Sequence, residues 1–376
     1  MNKADETYIN LLRDVLAHGH EKDTRSGKVL SVFGRQIRFD LKEGFPLLTT
    51  KKVYHKGIII ELLWFLKKQP YGMNIKFLIE NNVHIWDKDA YRWFHEWIGK
   101  NLIGQDREFW LTKPNEHGQK VYWEESREHW NNQEWLQGIN EEVFLKYVEL
   151  GIGLVVKLDE WGTAHKYTFG DLGPIYGTQW RSFGETKVDQ IEEIIHTLKT
   201  NPNDRRMMCL AYNPDVLHDV ALPPCHVMMQ FYTRPLRSDE REEIFIKKYG
   251  HTPIGMAEIE GANIPKYGLS CMWTQRSVDS CSGLPFNAGS YSALTYMIAK
   301  LVNMVPDELV GSLGDTHIYK NHIDGVMEQL NREGADTVPQ LVIHGEQKTI
   351  DDFKFSDFEI VGYNPCPPIK FELNVG

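Results

Sequence analysis

Residues Leu222-Pro223-Pro224-Cys225-His226, followed at once by Val227-Met228-Met229-Gln230-Phe231-Tyr232, place the tightest constraint on how this chain folds. The second run carries the β-branched, aromatic and long apolar side chains of a strand. Two prolines just before it lock φ and withhold two backbone donors, which suits the start or edge of a strand and not the middle of a sheet. Cys225 is thereby pinned where loop becomes strand. A free cysteine at such a place is either a small buried hydrophobe or a nucleophile, fixed where a pocket opens beside a histidine that can manage protons. On these five residues alone both readings stand.

The chain has 376 residues, enough for one large domain or two ordinary ones, and its 41% apolar and 25% charged residues are those of a globular protein. A net charge of −10 argues against a nucleic-acid partner, although a local basic pocket remains compatible with it. Five cysteines at irregular spacing, with no C-x-x-C pair, fit a reducing compartment better than a disulfide framework or a zinc site. Fifteen histidines include no H-E-x-x-H spacing, so no metal is expected. The N-terminus lacks an apolar signal region and no apolar run approaches membrane-spanning length. The expectation is a cytoplasmic protein without a membrane partner.

Along the chain, Tyr8, Leu11, Leu12, Val15 and Leu16 recur at helical spacing, with Gly19 as a stop. The run from Ile58 to Leu66 is apolar except for Glu61 and reads as a buried helix; a carboxylate there needs a partner or a task. From Ala90 to Lys166 the chain holds seven of its eleven tryptophans, many charges and little periodicity. That segment reads as a partly helical insertion without a sheet of its own. A second insertion, about 234–266, reads as a charged loop. Strands are predicted at 207–212, 267–277, 309–313 and 341–344, and helices at 188–198, 286–302 and 322–331. Irregular interleaving favours an α+β fold, a single domain over 1–376 with insertions at about 90–166 and 234–266. No G-x-G-x-x-G or Walker sequence follows a strand.

Polar groups gather where the chain turns between elements: Arg205-Arg206 before a strand, Gln275-Arg276-Ser277-Val278-Asp279 at the end of one, Asn287 opening a helix. Arginines in several loops suit a phosphate, because the guanidinium fork makes bidentate bonds to it. With Asp23 to Gly27, Phe45 to Lys52, Glu61 to Leu66, Ile85-Trp86-Asp87, Asp171 to Arg181, Asp204-Arg205-Arg206, Leu222 to His226, Gln275 to Asp279, Gly283 to Asn287 and Gly314 to Tyr319 in one order, the chain resembles the thymidylate synthase family over nearly all of its length outside the two insertions.

The resemblance implies a large mixed β-sheet packed with helices and a folate-dependent one-carbon transfer to C5 of dUMP. It makes Cys225 the thiolate nucleophile at C6, favoured by nearby Arg276, with Glu61 and Tyr176 as proton handlers and His226 and Asp279 beside them. Arg25, Arg205, Arg206, Arg276 and Ser277 match the phosphate clamp. Gln275 and Asn287 belong to the nucleotide site, and His317 and Tyr319 match the residues that hold the sugar hydroxyl. Ile85, Trp86, Asp279, Ser282, Gly283 and Phe286 lie along the folate, 5,10-methylenetetrahydrofolate. The paired arginines reach across subunits in this family, which implies a homodimer. Asn287 names the base: an amide can donate to O4 of uracil while accepting from N3–H, whereas a plain helix-capping asparagine would carry no such meaning.

Three departures cluster near the transferred carbon: Ser282 for an apolar residue, Ala288-Gly289 for Ile-Ala, and a tail reading Phe371-Glu372-Leu373-Asn374-Val375-Gly376. Together they exchange apolar volume for space and hydrogen-bonding capacity. They favour hydroxymethylation by water, giving 5-hydroxymethyl-dUMP and tetrahydrofolate as in some phage relatives, over the alternative of reductive methylation to dTMP. A non-catalytic nucleotide-binding protein is disfavoured by the retention of Cys225, Glu61, Asn287 and the arginines.

Overall fold

Val305–Tyr319 is one continuous strand of 15 residues, and the principal sheet is assembled on both of its edges. The structure is a computed structural model describing residues 1–69, 71–157 and 164–372. By internal contacts the chain divides into two units. The first comprises Met1–Leu66, Val188–Tyr212 and Cys225–Gly376, the second Lys67–Lys187 and Asn213–Pro224.

In chain order the strands are β1 (His20–Thr24), β2 (Gly27–Asp40), β3 (Phe109–Pro114), β4 (Lys120–Tyr122), β5 (Gly153–Lys157) and β6 (Ala164–Thr168). They continue with β7 (Met208–Leu210), β8 (His226–Pro235), β9 (Tyr267–Asp279), β10 (Val305–Tyr319), β11 (Gln340–Ile343) and β12 (Phe358–Val361).

The first unit holds a six-stranded sheet in the order β1-β2-β10-β9-β8-β7. Every pairing is antiparallel except β9 with β10, which run parallel and place His317 opposite Asp279. A parallel pair needs a long crossover, supplied here by the Gly283–Leu301 helix, most of which is buried. The His55–Leu66 helix packs against it and is buried without a break from Gly57 to Leu66. Each buried Ile, Leu or Phe of that helix contributes about 1.5–3 kcal/mol, enough to hold Glu61 in place on a helix that has no solvent face. The fold is thus α+β with a large mixed sheet packed against helices.

Boundaries differ from the sequence reading in instructive ways. The strand predicted at 309–313 extends from Val305 to Tyr319, because Asp315, Thr316 and His317 pair on both sides despite their polarity. Asn287 does not open its helix: Ser282 occupies the N-cap and Asn287 lies in the second turn, facing inward. The 234–266 insertion is not a loop. It forms helices Ser238–Tyr249 and Met256–Gly261 around Phe245, Ile259 and Ile264. Arg234 anchors its base, bonding both oxygens of Glu240 and both of Asp307 at 2.7–2.9 Å.

The second unit corrects another expectation. The 90–166 stretch takes part in a four-stranded antiparallel sheet of its own, β4-β3-β5-β6. The strands have three to six residues, and β4 is exposed throughout, so no alternation marks them in sequence. Their core is aromatic: Phe94, Phe144, Tyr167 and Phe169 lie with ring centroids 4.9–6.0 Å apart. No helix among the described residues is long and apolar enough to cross a membrane.

One buried carboxylate organises the N-terminal part of the first unit. Asp5 accepts from the backbone N–H of Thr49 and Thr50, from both their hydroxyls, and from Asn2. Asp5→Ala would orphan these donors in a dry interior, at about 1–3 kcal/mol for each one left unpaired. The expected result is a loss of at least about 2 kcal/mol in urea unfolding; a smaller loss would mean that water takes over the carboxylate's place.

Candidate active site

In the first unit the site is laid out by the ends of β8, β9 and β10 and the start of the Gly283–Leu301 helix. Cys225 directly precedes β8 and is half-buried, unlike Cys209, Cys271 and Cys281, which are buried and whose thiols burial pushes up. Its carbonyl accepts the Arg276 N–H at 2.9 Å, and the Arg276 guanidinium Nη2 lies 4.0 Å from its sulfur. A cation at that distance favours the thiolate, the form of cysteine that attacks carbon. Ser277 follows on the same strand.

Gln275 is the hub behind the cysteine. Its Oε1 accepts from Trp273 Nε1 at 3.2 Å and from Asn287 Nδ2 at 3.0 Å, while its Nε2 donates to the Ser277 carbonyl at 3.0 Å. These bonds fix which way the Asn287 amide faces. His226 sits opposite Gln275 in the β8–β9 ladder, buried, with its ring edge against Tyr291, which stacks on Trp273. Burial lowers the His226 pKa to about 4, opposed by a hydrogen bond with Asn287. His226 is therefore a neutral imidazole at pH 7.

At the ends of the parallel pair, Asp279 Oδ1 accepts from the N–H groups of Cys281 and Ser282 at 2.9 and 3.2 Å. His317 Nδ1 lies 3.2 Å from the Asp315 carbonyl, and its ring meets Tyr319 edge-on at 5.2 Å. Burial raises the Tyr319 phenol pKa, with a Ser26 hydrogen bond working against it. Arg25 is exposed in the turn between β1 and β2. Arg205 and Arg206 are also exposed, just before edge strand β7; Arg206 forks onto Asp204 at 2.6–3.0 Å and holds that carboxyl down at about 2. Glu61 is buried on its helix. Phe286 is half-buried, with its ring over Gly57, and Gly283 leaves bare backbone beside Asp279 and Asn287.

In the second unit Trp86 is buried and meets Tyr176 edge-on, centroids 6.1 Å apart, with Ile85 half-buried next in sequence. Tyr176 has φ +24°, a conformation that side-chain-bearing residues adopt only under constraint and that concentrates at functional sites.

Three residues here escaped sequence reasoning. Trp273 and Tyr291 stand in an apolar strand and helix, where nothing in the sequence sets them apart from core aromatics. Lys51 is deeply buried, donates to the Cys281 carbonyl at 2.5 Å and lies over the Phe371 ring at 4.4 Å; burial lowers its pKa to about 8. A lysine inside the apolar-flanked run Leu47-Leu48-Thr49-Thr50-Lys51 was the available signal.

A family model described as thymidylate synthase matches residues 6–375. The thymidylate synthase of Saccharomyces cerevisiae is 36% identical over 388 aligned positions, covering all of this chain and 98% of the yeast protein. The chain belongs to the thymidylate synthase family. It is accordingly a one-carbon transferase, and the match runs from residue 6 to residue 375.

The neutral His226 carries a pH signature. Its folded pKa of about 4 lies below the ordinary 6.5, so as pH falls the unfolded chain binds the proton first. The stabilisation is complete above pH 6.5 and is lost between 6.5 and 4. Between pH 7 and 5 the urea midpoint of the wild type should therefore fall further than that of His226→Gln; equal falls would mean that the native imidazole is charged.

Proposed function

We propose that this chain catalyses the reductive methylation of dUMP to dTMP, with 5,10-methylenetetrahydrofolate as co-substrate. The observation that carries the proposal is the full-length likeness to a protein that bears the name of that activity, joined to the packing at Gly289. The Ala288-Gly289 departure had suggested a roomier site and a hydroxymethylated product. A Cβ on Gly289 would meet Ile58 Cδ1 at 2.9 Å, so the volume given up there is filled by the neighbouring helix and does not open toward the cysteine. Ala288 is buried as well. Of the other departures, Ser282 is the N-cap of its helix, and the altered tail positions 373–376 lie outside the described residues. Water as the final reactant then rests on Ser282 and on the tail.

The residues of the first unit fit the co-substrate: Asp279 offers a carboxylate acceptor for a ring N–H, Gly283 bare backbone, and Phe286 a half-buried ring. When bound, the folate supplies the one-carbon unit and the hydride. Cys225 adds as thiolate to C6 of the pyrimidine, leaving C5 electron-rich, and is later expelled when the C5–C6 double bond is restored. Glu61 and Tyr176, the latter assigned on family membership alone, manage the C5 proton. Arg25, Arg276 and Ser277 bind phosphate, and His317 and Tyr319 the sugar hydroxyl.

Asn287 selects uracil by counting. An amide has two donors and two lone pairs. Gln275 takes one N–H and His226 one bond, which leaves one donor for O4 and one lone pair for N3–H.

A homodimer belongs to the same proposal. One face of the sheet presents Met208, Leu210, Gln230, Tyr232 and Met272 along adjacent strands, with Tyr232 64% exposed. Such a patch suits a second copy of the chain, with Arg205 and Arg206 reaching the partner's phosphate site.

Mass spectrometry of the nucleotide product tests the reaction. dTMP with dihydrofolate in equal amount is expected, and 5-hydroxymethyl-dUMP with tetrahydrofolate would overturn it. For the dimer, Cys225→Ala and Arg206→Glu should each be nearly inactive alone and regain activity when mixed after reversible dissociation. No recovery in verified heterodimers would place the arginine in its own subunit's site.

A further inference from the structure

The β9–β10 pair carries a second cluster, which shares only Asp279 with the proposed folate subsite. β9 ends at Asp279, and the Ser280-Cys281-Ser282 turn leads into the Gly283–Leu301 helix. β10 ends at Tyr319, and a short 3-10 turn, Lys320–His322, follows. Because the strands run parallel with His317 opposite Asp279, both turns leave the same end of the sheet side by side, tied by Ser280 N–H to the His317 carbonyl at 2.9 Å. One carboxylate oxygen of Asp279, the Cys281 sulfur and one ring nitrogen of His322 all come within 4.8 Å of one another.

We propose that Asp279, Cys281 and His322 form a binding site for a borderline-soft divalent cation of the zinc type. The donor set is one thiolate, one imidazole and one carboxylate, the three ligand types such an ion takes, and water completes the tetrahedron. The positions are already held. Asp279 Oδ1 binds the N–H groups of Cys281 and Ser282, which folds the turn back over the carboxylate. His322 Nε2 donates to the Glu372 carbonyl at 2.8 Å, which puts the proton of the neutral ring on that nitrogen, and its ring is held between Tyr319 and Phe371. A histidine backed by a carbonyl in this manner is the usual arrangement behind a metal-ligating imidazole.

Cys281 and His322 are each only 1% exposed, whereas Asp279 is half-buried and gives the ion its approach. Ligand donors around a zinc ion stand closer together than 4.8 Å, so binding draws the two turns slightly inward. The Cys281 S–H bond breaks on binding, its proton goes to solvent and its electron pair to the metal. Lys51, at the Cys281 carbonyl, is a neighbouring cation that opposes the incoming charge. The thiolate and the carboxylate supply two negative charges against it.

The test uses the full chain carrying Cys225→Ser, which removes one of the two half-buried thiols, the other being Cys366, from competition. Titration with Co²⁺ should give a thiolate-to-metal charge-transfer band saturating at one ion per chain. Cys281→Ser in that background should abolish the band, and His322→Ala should weaken binding at least about tenfold. Persistence of the band in Cys281→Ser would place the ion on another cysteine and overturn the site. Should either variant fail to fold, X-ray absorption of the Zn²⁺-loaded Cys225→Ser protein decides instead. One sulfur with two or three nitrogen or oxygen neighbours supports the site; a shell without sulfur overturns it.

Discussion

The parallel pairing of β9 with β10 is the constraint on which the rest of the first unit depends. Two parallel neighbours cannot be joined by a tight turn, so the chain between them must cross a face of the sheet, and the Gly283–Leu301 helix makes that crossing. The helix starts at the same sheet end at which both strands finish. Asp279, Ser282, Gly283 and Asn287 are thus brought beside His317 and Tyr319 by topology, before any side-chain interaction is considered. β8 then pairs with β9 so that His226 lies across from Gln275, and Cys225 comes to the same rim. The two prolines ahead of it set where that pairing can begin.

The rim is polar and largely dry, which makes Gln275 expensive to misplace. Its amide meets Trp273, Asn287 and the Ser277 carbonyl, so three of its hydrogen-bonding positions are satisfied at once. A network in a low-dielectric interior is stabilising when complete and costly when any member is missing. Asn287 inherits its orientation from this arrangement, and the neutrality of His226 follows from burial in the same place. The orientation of Asn287 and the placement of Cys225 therefore share one scaffold.

Much of this was legible in the sequence, and the failures have physical causes. The Glu61 helix was read correctly, because an apolar run of that length with one carboxylate leaves few alternatives. Cys225 was placed at a strand start by its prolines. Asn287 was misplaced by about a turn: Ser282-Gly283-Leu284-Pro285 contains a proline within the first turn of a helix, where it is tolerated, and that hid the true start. The second unit's sheet was missed because its strands are short and its core is aromatic, so neither length nor period-2 alternation gave them away. The 234–266 segment looked like a loop because charge dominates its composition. Its helices bury only Phe245, Ile259 and Ile264 as a core, and the Arg234 network fixes the base.

The cysteine at position 281 shows what one-dimensional spacing conceals. Read as a string, the cysteines and histidines form no ligand pattern, since Asp279 and Cys281 stand more than forty positions before His322. Ligand spacing in sequence is informative only when one turn or helix supplies several donors. Here two turns supply them, and the parallel register brings the turns together. Asp279 is common to the cluster and to the proposed folate subsite. An ion held by Cys281 and His322 would therefore act on the carboxylate that the folate needs, and the two sites would be linked through that one side chain.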